Sequence, residues 1–199
     1  MDHYLTIETQ AVAEYKDRGS KFLAYSFPLK RPEEFKKYLQ ALKKEHPKAV
    51  HYCFAYRTGF DGNNFRVSDD REPAGTAGKQ ILGQVDSKSL TNILVVVVRY
   101  FGGTLLGVPG LITAYKTATS YVLQCTPVTQ KAIEINYNLQ FDYTIMNDVM
   151  QIMKQCNCTV HKNELQLFCK MEVGIPKERE EETINSLKKL YNVEFQKTE

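Results

Sequence analysis

Residues Leu94–Thr119 read LVVVVRYFGGTLLGVPGLITAYKTAT. Val95–Val98 is a β-branched run suited to a strand covered on both faces, and it ends at the polar Arg99. Gly102, Gly103 and Gly107 follow, so the chain can turn tightly and bring its backbone amides close to a neighbour. Pro109 suits a first helical turn, and Leu111, Ala114, Tyr115, Ala118 and Val122 recur at helical spacing. The N–H groups at that helix start point back at the glycine loop, a geometry that fits a docked phosphate or carboxylate. It fits equally a plain strand-to-helix connection, since neither GxGxxG nor GxxxxGK[ST] is present.

Upstream, strands are expected at Tyr4–Glu8, Ala11–Lys16 and Phe22–Leu29. Pro32 opens a helix whose buried stripe is Phe35, Tyr38, Leu39 and Leu42. Its opposite arc carries Lys36, Lys37, Lys43 and Lys44, a face suited to solvation or to nucleic-acid phosphate. Strands at His51–Arg57 and Phe65–Val67 flank an Asp61-Gly62 turn, and a helix is expected over Ala77–Val85. Thr126–Lys131, interrupted by Pro127, reads as a linker between two domains, 1–130 and 131–199.

Downstream, Ile133, Ile135, Tyr137, Leu139 and Phe141 alternate as a strand, and Ile145, Val149, Ile152, Met153 and Cys156 form a helical stripe. Cys158 and Val160 mark a short strand. Lys162–Glu164 is read as a hairpin turn into a strand carrying Leu165, Leu167, Cys169, Met171 and Val173. After Pro176 comes a helix with Glu178, Glu180, Glu181 and Glu182 near its start and Lys188 and Lys189 at its end, a distribution that suits the helix dipole. Ile184, Leu187 and Tyr191 are expected to face inward, and Val193 and Phe195 form the last strand. The order β-α-β-β-α-β is that of a ferredoxin-like domain, which makes the whole chain an α+β protein.

Composition narrows the function classes. With 199 residues, 43% of them hydrophobic, the chain can bury one good core or two small ones. Its 26 basic and 23 acidic side chains are unevenly placed: residues 137–199 hold 8 and 10 of them, so the first part is +5 and the last −2. That permits a polyanionic partner for the N-terminal part without the strong basicity of a dedicated DNA-binding domain. Five cysteines without a framework, and an N-terminus lacking an apolar signal core, argue for a reducing, cytoplasmic location. No segment is long enough for a membrane helix. Cys156 and Cys158 lack further ligands for zinc, so no zinc site is expected there, and the main reading calls for no metal and no cofactor.

The polar loop Arg66–Gly78, RVSDDREPAGTAG, offers a second candidate site. Asp69, Asp70 and Glu72 could hold a hard cation such as Mg²⁺ with His51 as a base, the arrangement of a metal-dependent hydrolase. Alternatively, Ser68 and Asp69 cap turns by accepting backbone N–H groups.

Together SDDREPAGTAG and VVVVRYFGGTLLGVPGLITAY, with GSKFLAYSFPL and VHYCFAYR upstream, closely resemble the IMPACT family of translation-associated proteins, including its bacterial YigZ-like members. The resemblance spans essentially the whole chain. It implies an N-terminal domain of the ribosomal-protein β-α type seen in domain four of elongation factor G, followed by a ferredoxin-like domain. It also implies a role in translation regulation through RNA or the ribosome. The family's usual lysine is replaced here by Leu105, its frequent glycine by Pro109, its frequent arginine by Thr113, and the glycine of its SDDGEP motif by Arg71. The regulatory relatives carry a further N-terminal domain, and this chain begins at the shared core, so control of their kinase is not expected to carry over.

The resulting expectation is a non-enzymatic nucleic-acid- or ribosome-binding factor. Its anion-binding residues would be Arg66, Arg71, Lys79, Arg99, Tyr100, Gly102, Gly103, Gly107 and Lys116, with Tyr100 or Phe101 either stacking on a base or packing under the loop. The open C-terminal sheet is a further candidate surface for a protein partner or for self-association.

Overall fold

The structure, a computed structural model, describes residues 2–165 and 168–198. The chain runs β1 (His3–Ile7), β2 (Ala11–Asp17), β3 (Ser20–Pro28), α1 (Phe35–Glu45), β4 (His51–Thr58), β5 (Asn64–Ser68), α2 (Gly78–Ser87), β6 (Ile93–Tyr100), α3 (Gly107–Cys125) and β7 (Val128–Ala132). It continues through β8 (Glu134–Phe141), α4 (Met146–Gln155), β9 (Thr159–Leu165), β10 (Cys169–Pro176), α5 (Glu180–Leu187) and β11 (Glu194–Lys197). Two compact units result: one holds Tyr4–Lys131, and the other runs from Ala132 onward and takes in Asp2 and His3.

The valine run of β6 is the centre of the first unit. Its antiparallel sheet has the order β2-β3-β6-β4-β5. Side chains alternate across a strand, so each face of β6 needs its own cover. On one face Val95 and Val97 join Phe22, Cys53 and Ala55 under Ile81 and Val85 of α2 and Leu111, Tyr115 and Val122 of α3. On the other, Leu94, Val96 and Val98 meet Phe27, Phe54 and Tyr56 under Phe35 and Leu42 of α1. Both faces are dry, which is why this strand reads as an unbroken apolar run instead of an alternating one.

The second unit is an antiparallel sheet of order β11-β8-β10-β9, with α4 and α5 supplying Val149, Met153 and Leu187 to its core. Strand connectivity β-α-β-β-α-β with the first strand beside the third and the last is the ferredoxin-like arrangement.

Four local expectations change. The expected linker contains β7, which pairs with β1 in a two-stranded sheet, so Pro127 marks the start of a strand. Lys162–Glu164 is not a turn but part of β9, whose ladder with β10 sets Lys162 opposite Glu172 and Glu164 opposite Lys170. Charged residues on an open sheet face mimic a turn in composition while keeping the strand's period. Leu165 therefore ends β9, and Leu167 lies outside the described residues. Tyr191, expected inside, is 82% exposed because α5 ends at Leu187 and the helical period does not reach it. Among the described residues no helix is long and apolar enough to cross a membrane.

Candidate functional site

The sheet register sets Arg99 of β6 opposite His51 on β4 and opposite Phe22 on β3. Arg99 projects on the α3 side of the sheet. Its guanidinium carbon lies 5.4 Å from the centroid of the Phe22 ring and 5.8 Å from that of Phe101, so the planar cation stacks against two aromatic rings. Nη1 donates to Glu72 Oε1 at 2.6 Å, and the two side chains are only 6% and 4% exposed. The Tyr115 hydroxyl of α3 donates to the same oxygen at 2.8 Å, and His51 Nε2 stands 3.8 Å from it. His51 Nδ1 is 2.8 Å from the Asp70 carbonyl; a carbonyl only accepts, so Nδ1 carries a hydrogen and Nε2 faces Glu72.

Glu72 reaches this place because its loop is tied down by its neighbours. Asp69 Oδ1 accepts from the backbone N–H groups of Ala77 and Gly78 at 3.0 and 2.8 Å, and Oδ2 from that of Gly75 at 2.9 Å. It thereby satisfies donors at the start of α2 that no side chain of the helix itself caps. Asp70 Oδ2 accepts from the Tyr52 amide at 2.7 Å, fastening the loop to β4. Gly78 has no room for a side chain, since a Cβ there would press on the Ser68 backbone at 2.7 Å. Engaged this way, the Asp69 carboxylate caps the start of α2 and that of Asp70 ties the loop to β4. Among the described residues no group of three or more His, Cys, Asp or Glu could hold a metal ion.

Burial sets the protonation of the neighbours. The Tyr115 hydroxyl is pushed well above its ordinary pKa, chiefly by burial and further by the nearby Cys53 and Glu72, so it remains a donor. Burial also pushes the Cys53 thiol up, which favours its neutral form; it donates toward the Asp69 carbonyl at 3.0 Å or the Tyr115 hydroxyl at 3.3 Å. Above this polar floor opens a cleft of about 400 Å³. Its rim includes Phe101, Leu105 and Val108, which are 47%, 81% and 51% exposed.

The residues expected to form one anion site are therefore dispersed. Arg99 and Gly107 line the cleft together with His51 and Glu72. Arg71 sits beside them, exposed, its Nη2 donating to the Val50 carbonyl at 3.0 Å. Arg66 and Tyr100 belong to the α1 side: the Arg66 guanidinium lies 5.2 Å from the Phe35 ring centroid, and the Tyr100 hydroxyl is 3.0 Å from His46 Nδ1. Gly102 is glycine for packing reasons, because a Cβ would overlap the Gly19–Ser20 peptide, and its N–H donates to Ser20 Oγ at 3.2 Å. Gly103 takes the left-handed backbone of an exposed turn at φ 87°. Lys79 and Lys116 are exposed on α2 and α3. Tyr115 was legible only as part of an apolar stripe; its hydroxyl, which needs a buried partner, was the overlooked signal.

The fold and this cleft define an α+β protein of two units, the first carrying a buried arginine–glutamate pair beneath an open apolar rim. The sequence profile of the Impact N-terminal domain matches residues 18–123. IMPACT family member YigZ of Escherichia coli is 33% identical over 161 residues, 80% of this chain and 79% of that protein. An IMPACT family member of Haemophilus influenzae is 32% identical over 88% of this chain and 86% of its own. Protein IMPACT of Oryctolagus cuniculus is 35% identical over 94 residues, 46% of this chain and 30% of that protein. A crystal structure described as that of a hypothetical protein superposes with a TM-score of 0.77 at 28% identity, covering 100% of this chain and 98% of its own. The chain belongs to the IMPACT family.

Proposed function

We propose that this protein acts by binding unpaired RNA, in association with the ribosome, as a factor that regulates translation. The translation role is what its family resemblance implies. The observation that carries the RNA reading is Phe101, a half-exposed ring at the end of the central strand, held over the Arg99 guanidinium beside an open cleft. An exposed aromatic next to a cleft roomy enough for a base is a stacking platform, and the +5 charge of the first part of the chain favours approach of a polyanion.

Filter-binding titrations with single-stranded and structured RNA at rising salt test the reading. Dissociation constants below micromolar at low salt, weakening as salt rises, are expected, with Phe101→Ala losing about 1–3 kcal/mol per stacked base. Affinity no better than micromolar at low salt, or no salt slope, would overturn it. Copurification with ribosomal subunits followed by cross-link mapping tests the translation part separately.

A further inference from the structure

We infer that the cleft over Arg99 and Glu72 is selective for guanine, an inference that rests on the RNA reading only for the source of the base. Among the described residues every hydrogen bond of the Arg99 guanidinium runs from Nη1, and every hydrogen bond and ion pair of the Glu72 carboxylate falls on Oε1. The remaining edge of Arg99 is its Nε–Nη2 pair, two parallel donors of the kind that grip two acceptors at once. Nε is buried and has no partner among the described residues. A buried donor without an acceptor is unfavourable, and a ligand that supplies the acceptor removes that penalty. Glu72 lines the same cleft, and its Oε2 accepts no hydrogen bond among the described residues.

The floor therefore presents donor, donor, acceptor. Guanine presents the complement along one side of its ring: N7 and O6 accept, N1–H and N2–H donate. Adenine sets its N6 donor against the Arg99 donors, and cytosine does the same with N4. Uracil offers O4 and N3–H, matching two of the three positions. A phosphate gains little here, because Glu72 neutralises the arginine and would repel it; the anion site suggested by the glycine loop becomes a site for a neutral base. The apolar rim of Phe101, Leu105 and Val108 suits a flat ring better than a hydrated anion. Nε is itself buried, so a base reaches it only if the Phe101 ring, 5.8 Å from the guanidinium and 47% exposed, shifts as the base enters.

Titration calorimetry of the whole protein with GMP, AMP, UMP and CMP, and with decauridylate carrying one central guanosine or adenosine, tests this. Guanine is expected to bind about 10-fold more tightly than adenine or more, with uracil between them. Glu72→Gln, which sets a donor amide against N1–H, should erase the preference for guanine over adenine. Since that change also disturbs the buried pair, its fold is checked by circular dichroism. Phe101→Ala, at a half-exposed position, should weaken every base by about 10-fold, with circular dichroism checking that the fold is kept. Selective binding of GMP without binding of either oligonucleotide would uphold the guanine site and overturn the RNA reading. Equal binding of the two oligonucleotides would uphold RNA binding and overturn guanine selectivity. Binding of neither would overturn both.

Discussion

Arg99 Nη1 meets Glu72 Oε1 at 2.6 Å with both side chains almost wholly out of water. Two charges so placed are tolerable only as a pair, because each alone would carry its full desolvation penalty. Glu72→Ala is expected to destabilise the protein by about 3–5 kcal/mol, since it strands the Arg99 cation and the Tyr115 hydroxyl together. Arg99→Met combined with Glu72→Leu should recover part of that loss, because the charge goes along with its partner while the Tyr115 hydroxyl stays without its acceptor. Urea unfolding at pH 7 measures both, and a single-variant loss under about 1 kcal/mol would mean that water reaches the pair.

Asp69 is expected to matter nearly as much, for a different reason. It gathers the N–H groups of Gly75, Ala77 and Gly78, holding the loop against the start of α2. Asp69→Ala removes a cap with three donors and should lower stability by about 2 kcal/mol. Hydrogen exchange locates the effect: faster exchange at those three amides, with the β6 amides little changed, is the expected pattern.

How much of this was legible in the sequence follows from how local each signal is. The valines of β6 announced a strand covered on both faces because burial on both sides removes alternation, and the amphipathic stripes located α1, α3 and α4. β7 was read as linker because its worth as a strand depends on β1, some 120 residues away, and pairing across that separation leaves no local pattern. The site was half legible. Asp69 and Glu72 share a loop and a charge yet do opposite work: one caps a helix at the loop's edge, the other is carried under Arg99 by the fold. Likewise Arg99 and Tyr100 are adjacent in sequence and lie on opposite faces of the sheet, so grouping them as one site contradicts the strand's period of two.

Gly102 and Gly83 separate glycines that packing requires from glycines that it does not. A Cβ at Gly102 would overlap the Gly19–Ser20 peptide, which is backbone and cannot rotate away. Gly102→Ala should cost about 1–3 kcal/mol through the shift it forces. At Gly83, inside α2, a Cβ meets nothing within 4 Å. Gly83→Ala should instead stabilise by about 0.5–1 kcal/mol, as alanine restricts the unfolded chain and favours helix. Thermal unfolding of the two variants side by side should therefore move in opposite directions.

The ferredoxin-like unit carries its own pH dependence. Tyr137 on β8 donates to Glu180 Oε1 on α5 at 2.7 Å, and Lys197 on β11 donates to the same oxygen at 3.0 Å. Burial, and then the carboxylate beside it, pushes the Tyr137 hydroxyl up to about 12. An unfolded tyrosine titrates near 10, so the folded state favours the neutral phenol. The stability this contributes is fully present below about pH 10 and is lost as pH rises from there through about 12. On the acid side the hydrogen bond from Tyr137, followed by that from Lys197, holds the Glu180 carboxyl below its ordinary range; that contribution is present above the unfolded pKa and fades as pH falls through the folded one. Tyr137→Phe should lose about 1 kcal/mol at pH 7. Subtracting its unfolding free energy from that of the wild type isolates this hydroxyl from Tyr25 and Tyr52, whose pKa values burial also raises. The difference should be flat near neutrality and shrink between pH 10 and 12; a difference that stays constant to pH 12 would mean that Tyr137 ionises as freely in the folded protein as in the unfolded chain.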